Sequence, residues 1–241
     1  MDAEPSLIGL LAWGDKGWGD ELARGLALTV QISICSYFVG FLLGLAGAGA
    51  KLSQHRWANV AGDLYTTLIR ALPELLLILL IYYAGTPALV KLLVFTGMAS
   101  EDLQISPFAA AVIALGFIYG AYLTDVLRGA IQAIPKGQIE AARAYGMHAP
   151  LRFRRIVFPQ MIRFAIPGMG NQWLNITKDS ALISVIGAFE IAKQANIAAS
   201  GTKEYLFFYS VAALIFLCLT IVSMIVLTRI EKRANRGVSR A

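Results

Sequence analysis

The stretch IEAARAYGMHAPLRFRRIVFPQ, Ile139 to Gln160, is a basic interruption in an apolar chain. It sets four arginines against one acid, Glu140, and follows that acid with Ala141, Ala142 and Ala144 before Gly146. The 241 residues around it are 57% hydrophobic and only 15% charged, with a mean hydropathy of +0.64. That balance is too apolar for a water-exposed surface and predicts an integral membrane protein.

On either side of this stretch, four runs are free of charge: Gly25 to Ala50, Leu75 to Val90, Leu103 to Thr124 and Leu206 to Thr228. A helix rises 1.5 Å per residue, so these runs are long enough, or nearly so, to cross about 30 Å of hydrocarbon. The second is short alone and becomes a full span only if it starts near Asp63 and takes Arg70 and Glu74 into the membrane. A fifth span is less obvious, because NQWLNITKDS places Asn171, Asn175, Lys178 and Asp179 within or beside the apolar residues from Phe164 to Phe189. Barrel strands would need period-two alternation over about ten residues, which these runs lack. The expectation is an all-α protein with five transmembrane helices at about 25–50, 63–84, 105–127, 160–186 and 206–228.

Lysine and arginine are retained on the cytoplasmic side. Five spans sort the loop cations into two sets. Lys51 and Arg56, the seven from Arg128 to Arg163 and the five from Arg229 to Arg240 make fourteen; Lys16, Arg24, Lys91, Lys193 and Lys203 make five. The N-terminus is therefore expected outside and the C-terminus, with its 234–241 tail, inside. Residues 1–23 carry five acids and one lysine, unlike the basic opening of a signal peptide, and read as mature sequence. The net charge of +6 lies in short loops near lipid headgroups, which removes the main support for nucleic-acid binding. Cys35 and Cys218 fall in apolar spans and are read as core residues. His55 and His148 lie in different loops with no third ligand, so no metal site is expected.

Just ahead of the opening stretch, Pro135 precedes a short expected helix, Lys136 to Tyr145, that runs into it, with Gly146 placed as its C-terminal cap. Its small residues leave a nearly bare surface on which another protein could close; an ordinary amphipathic loop at the membrane surface is the plainer alternative. Arg70 and Glu74 are four apart and predicted to share one helix face, with Pro73 loosening the backbone between them. They either neutralise each other or turn Glu74 toward a path through the membrane. The stretch GLAGAGAKL, Gly44 to Leu52, misses a P-loop, because Ala50 displaces Lys51 and Leu52 stands where Ser or Thr is required. Its glycines are expected to permit close helix packing. With no catalytic constellation in the sequence, a membrane enzyme has no support beyond the intramembrane acids.

Glu140, Ala141, Ala142, Gly146, Phe153, Ile156 and Pro159 match the spacing of the EAA loop of ATP-binding-cassette (ABC) importer permeases. Together with YTTLIRALPELLLILLIYY, LGFIYGAYLTDVLRGA and IPGMGNQW, the chain resembles the polar amino-acid permeases of histidine, lysine, arginine, ornithine and opine uptake systems, and is most similar to their Q-type subunit. The resemblance covers about Gly25 to Arg233. It implies a type I importer permease fold, with a transmembrane domain over 24–233, a cytoplasmic coupling loop at 136–159 and a periplasmic segment at 1–23. It also implies a bacterial inner-membrane location, a sister permease, an ATPase dimer that binds the ATP, and a periplasmic solute-binding protein; no cofactor is expected on this chain. The expected cargo is a basic amino acid or related opine, with Arg70, Glu74, Asn175, Lys178 and Asp179 as candidate path residues. A secondary transporter or channel is the rival reading, since intramembrane charges also mark ion pathways.

Overall fold

The computed structural model describes residues 7–14, 17–100 and 102–235. Asp15, Lys16, Glu101, Arg236 and Arg240, and most of the 234–241 tail, lie outside them. Among the described residues the regular structure is entirely helical. The elements are α1 (Gly19–Lys51), α2 (Arg56–Ala71), α3 (Glu74–Phe95), α4 (Pro107–Gln132), α5 (Lys136–Ala144), α6 (Ala149–Ile186), α7 (Ile191–Thr202) and α8 (Tyr205–Ala234). α3 contains a π-helical turn at Ile81–Gly85, α6 contains one at Phe153–Val157, and α6 ends in a 3₁₀ segment at Ser180–Ile186. α1, α3, α4 and α8 are each long and apolar enough to cross a membrane; α6 and α7, bent by 51°, satisfy the same requirement as a broken pair.

Among the described residues α4 is the central helix, and its most extensive packing is against α1. Gly40 on α1 faces the backbone of Gly116 and Gly120 on α4, and Gly44, one turn on, faces Leu123 and Thr124. A Cβ at Gly44 would lie 2.8 Å from Leu123 Cβ, and one at Gly116 would lie 2.7 Å from Val39 Cγ1. In lipid no hydrophobic gain drives helices together, so such small-residue seams supply the packing. Gly44 and Gly47 of GLAGAGAKL do pack on α4, as anticipated, whereas Gly49 meets nothing. Gly120→Val is accordingly expected to overpack the seam at a cost of about 1–3 kcal/mol, measured as a lower melting temperature in detergent; an unchanged value would contradict this packing.

Three tiers of buried side chains follow α1 along its length. One is built from Leu22, Ile191 and Phe208, a middle one from Ile32, Ile78, Leu115, Ile118 and Ile176, and a third from Ala48, Leu127, Ile134 and Met161. In the first tier the fully buried Glu190 caps α7, its two carboxylate oxygens accepting from Ala192 N and Lys193 N at 2.8 Å each.

The helices depart from the sequence expectation in three places. α1 begins at Gly19 rather than near Arg24, and its first turn carries Asp20, which pairs with Arg24 at 3.1 Å. The chain is broken inside the 63–84 segment: Leu72 is extended (ψ 148°) and Pro73 opens a new helix at Glu74. Proline excludes the preceding residue from the helical region and cannot donate a hydrogen bond, so Arg70 and Glu74 belong to different helices and do not share a face. Cys35 and Cys218 are exposed, unpaired side chains, not core residues. An apolar position on a membrane helix can face outward as readily as inward.

Candidate functional site

The two acids expected within the membrane are held by one pair of tyrosines. Tyr119 and Tyr122 lie one turn apart on α4, with ring centroids 5.7 Å apart. The Tyr122 hydroxyl donates to Glu74 Oε1 (2.8 Å), at the start of α3, and the Tyr119 hydroxyl donates to Asp179 Oδ2 (2.6 Å), near the end of the α-helical part of α6. Both carboxylates are half-buried. Each has one oxygen fixed by a phenol, which leaves the other oxygen for a further donor. Asn175 and Lys178 are exposed on the same helix as Asp179.

Arg70 does not pair with Glu74. Its guanidinium donates to Asp125 Oδ2 and lies 5.7 Å from the centroid of the Tyr122 ring. The other oxygen of Asp125 accepts from Lys51 Nζ at 2.9 Å, and the same ammonium donates to Thr66 Oγ1 (2.8 Å) and sits 3.0 Å from Asp63 Oδ1. Lys51 is buried at the end of α1, so this cluster ties α1, α2 and α4 together at the end of the bundle that carries α5. A cleft of about 670 Å³ opens there, lined by Lys51, Thr66, Arg70, Asp125, Arg128 and neighbouring residues.

Sequence reasoning missed Lys51, Asp125 and the two tyrosines. A signal was present. Tyr119, Tyr122 and Asp125 recur every third residue in YGAYLTD and place a polar stripe along one face of an apolar helix.

α5 takes the form expected of it. Gly146 N–H donates to Arg143 O (2.9 Å) and Met147 N–H to Ala142 O (3.0 Å), the paired bonds of a Schellman cap, with Gly146 at φ +72°. Glu140, Ala141 and Ala144 are exposed. Ala142 is buried instead, so one of the three small residues seats the helix rather than extending its bare face. Phe153 and Phe158 bracket the π-helical turn with their rings 5.9 Å apart; Phe153, Phe158 and Pro159 are exposed and Ile156 is half-buried. His148 caps the start of α6, accepting from Leu151 N at 3.4 Å.

The apolar spans, the acids held between them and the exposed, capped helix at one end define a membrane transport subunit. Residues 37–236 match the family of binding-protein-dependent transport system inner membrane components, and the chain belongs to that family. It is 46% identical over 231 residues to the nopaline transport system permease protein NocQ of Agrobacterium fabrum, covering 95% of this chain and 97% of the relative. To the histidine/lysine/arginine/ornithine transport system permease protein HisQ of Salmonella typhimurium it is 44% identical over 225 residues, covering 93% and 98%. Among solved structures, one titled as an amino acid ABC transporter with histidines superposes with a TM-score of 0.76 at 32% identity, covering 90% of this chain and 95% of that one. The inward-facing MetNI methionine ABC transporter shares the fold, with a TM-score of 0.73 at 18% identity over 90% and 97% of the two chains. The chain is thus a membrane permease component of an ABC importer, the ATPase being a separate subunit.

Proposed function

We propose that this chain lines the translocation path of an ATP-driven importer of basic amino acids or related opines, with Glu74 and Asp179 facing the cargo. The observation that carries the reading is the pair of carboxylates held by the neighbouring phenols Tyr119 and Tyr122, each with one oxygen left to meet a cationic group. Two acids suit the second cation of a basic amino acid and repel an acidic one. The names of the relatives, which carry nopaline or histidine, lysine, arginine and ornithine, support the same cargo class.

In this reading a solute-binding protein delivers cargo from the periplasm, and this chain and a sister permease form the path across the inner membrane. Glu140, Ala141, Gly146, Phe153 and Pro159 form the contact with one subunit of an ATPase dimer, while the buried Ala142 seats the helix behind them. ATP is bound there and not on this chain. The fold then has five spans, counting the bent α6–α7 pair as one, with the N-terminus outside and α5 in the cytoplasm. An impermeant thiol reagent is expected to reach cysteines placed at Asp15 or Glu101 but not at Gln138 or Asn235; labelling of Gln138→Cys from outside would overturn the orientation. The cargo itself is tested by finding which labelled amino acid enters cells only when this chain, its sister permease, the ATPase and the binding protein are all present. A basic amino acid or opine is expected, and an acidic amino acid would contradict the reading.

A further inference from the structure

The geometry points to Asp125 as a positioning residue for cargo selection, one that holds the Arg70 guanidinium off Glu74 and so keeps Glu74 open to a cationic cargo. This inference rests on the reading of Glu74 as a cargo-facing acid. Tyr122 is the shared neighbour: Arg70 lies on its ring and Glu74 on its hydroxyl, so the arginine has the path acid across a single side chain. An arginine bound to Glu74 would neutralise it and occupy the place of the cargo's cation. Asp125 prevents this by taking the guanidinium on Oδ2.

Asp125 is itself fixed from the other side. Lys51 holds Oδ1 at 2.9 Å and is in turn anchored by Thr66 and Asp63, so the carboxylate cannot follow Arg70 toward the path. The cleft around it carries three cations, Lys51, Arg70 and Arg128, and the Nε of Arg128 is buried without a hydrogen-bond partner. Without Asp125, Arg70 would stand among like charges on one side and face an acid on the other. Pro73 completes the device, because the helix break places Arg70 and Glu74 on separate helices and removes the direct pairing that their spacing would otherwise favour.

The test compares Asp125→Asn with wild type in proteoliposomes holding the complete transporter, with saturating liganded binding protein. L-arginine and L-citrulline serve as the cationic cargo and its neutral near-isostere. The maximal rate for arginine is expected to fall about tenfold or more, that for citrulline to stay within about twofold, and the concentration of liganded binding protein giving half-maximal rate to stay unchanged. Asp125→Glu retains the carboxylate and is expected to keep most of the arginine rate. Adding Arg70→Gln to Asp125→Asn is expected to restore that rate to within about threefold of wild type, because no guanidinium remains to cover Glu74. Should Asp125→Asn fail to accumulate, Lys51→Met/Asp125→Asn removes the buried cation with its acid and carries the same expectation, including rescue by Arg70→Gln. Equal loss for both cargos, or no rescue by Arg70→Gln, would overturn the inference. Glu74→Gln in the same assay separates the two levels: if it fails to discriminate between the cargos, the reading of Glu74 falls; if it discriminates and Asp125→Asn does not, only the role of Asp125 falls.

Discussion

Gly146→Val is expected to reduce uptake by an order of magnitude or more while the protein still inserts and folds. Gly146 sits at φ +72° with nothing within 4 Å of where a Cβ would stand, so the substitution meets no steric obstacle outside its own backbone. A β-branched residue in the left-handed region costs roughly 1–2 kcal/mol, and this cost falls on the two cap bonds from Gly146 and Met147. Relief comes from undoing the cap, which re-aims the chain entering Ala149 and Phe153 and changes how α5 is presented to the ATPase. Gly146→Asn tolerates the left-handed conformation and is expected to retain most of the uptake. Uptake by wild-type and variant proteins at matched membrane levels makes the comparison; undiminished uptake in Gly146→Val would remove the cap from the coupling account.

Glu74→Gln carries the other large effect. The amide keeps the side chain's size and can still accept the Tyr122 hydroxyl, so what is lost is one negative charge. Since Arg70 is paired with Asp125, the variant leaves no arginine unpaired in the membrane, and normal protein levels are expected. A hydrogen bond to a charged group contributes roughly 1.5–3 kcal/mol, which corresponds to about ten- to a hundredfold in rate. That loss is expected for L-arginine, with less than about threefold for L-citrulline. Equal loss for both at normal levels would remove Glu74 from the selecting site.

The parts of the molecule legible in the sequence were those set by local chemistry. Pro135, the helix after it and the Gly146 cap depend on neighbours within a few residues, and the structure places them as read. Gly44 and Gly47 of α1 were legible as packing residues because few other roles suit repeated glycine inside an apolar helix, though the same reading failed for Gly49.

What failed to show was partnership across the bundle. Arg70 and Glu74 read as a pair because helical spacing places residues four apart together; Pro73 broke the helix and gave each a partner on α4 instead. Asp125 went unnoticed because it directly follows an uncharged run ending at Thr124 and so looked like the edge of a span. Lys51 was weighed only as a loop cation and as a failed phosphate ligand, although a lysine ending an apolar helix can be drawn inward by acids from other elements. Cys35 and Cys218 expose the general difficulty. With lipid as the solvent, the outer and inner faces of a helix are both apolar, and hydrophobicity no longer reports burial.

In the proposed function, ATP hydrolysis on a partner subunit drives a cationic amino acid past Glu74 and Asp179. The most direct test measures L-arginine accumulation in proteoliposomes that contain this chain, its sister permease, the ATPase and the binding protein, with no ion gradient. Accumulation that requires ATP and every subunit, and that persists when proton and sodium gradients are collapsed, is the predicted result. Accumulation that proceeds without ATP and follows an imposed ion gradient would contradict it.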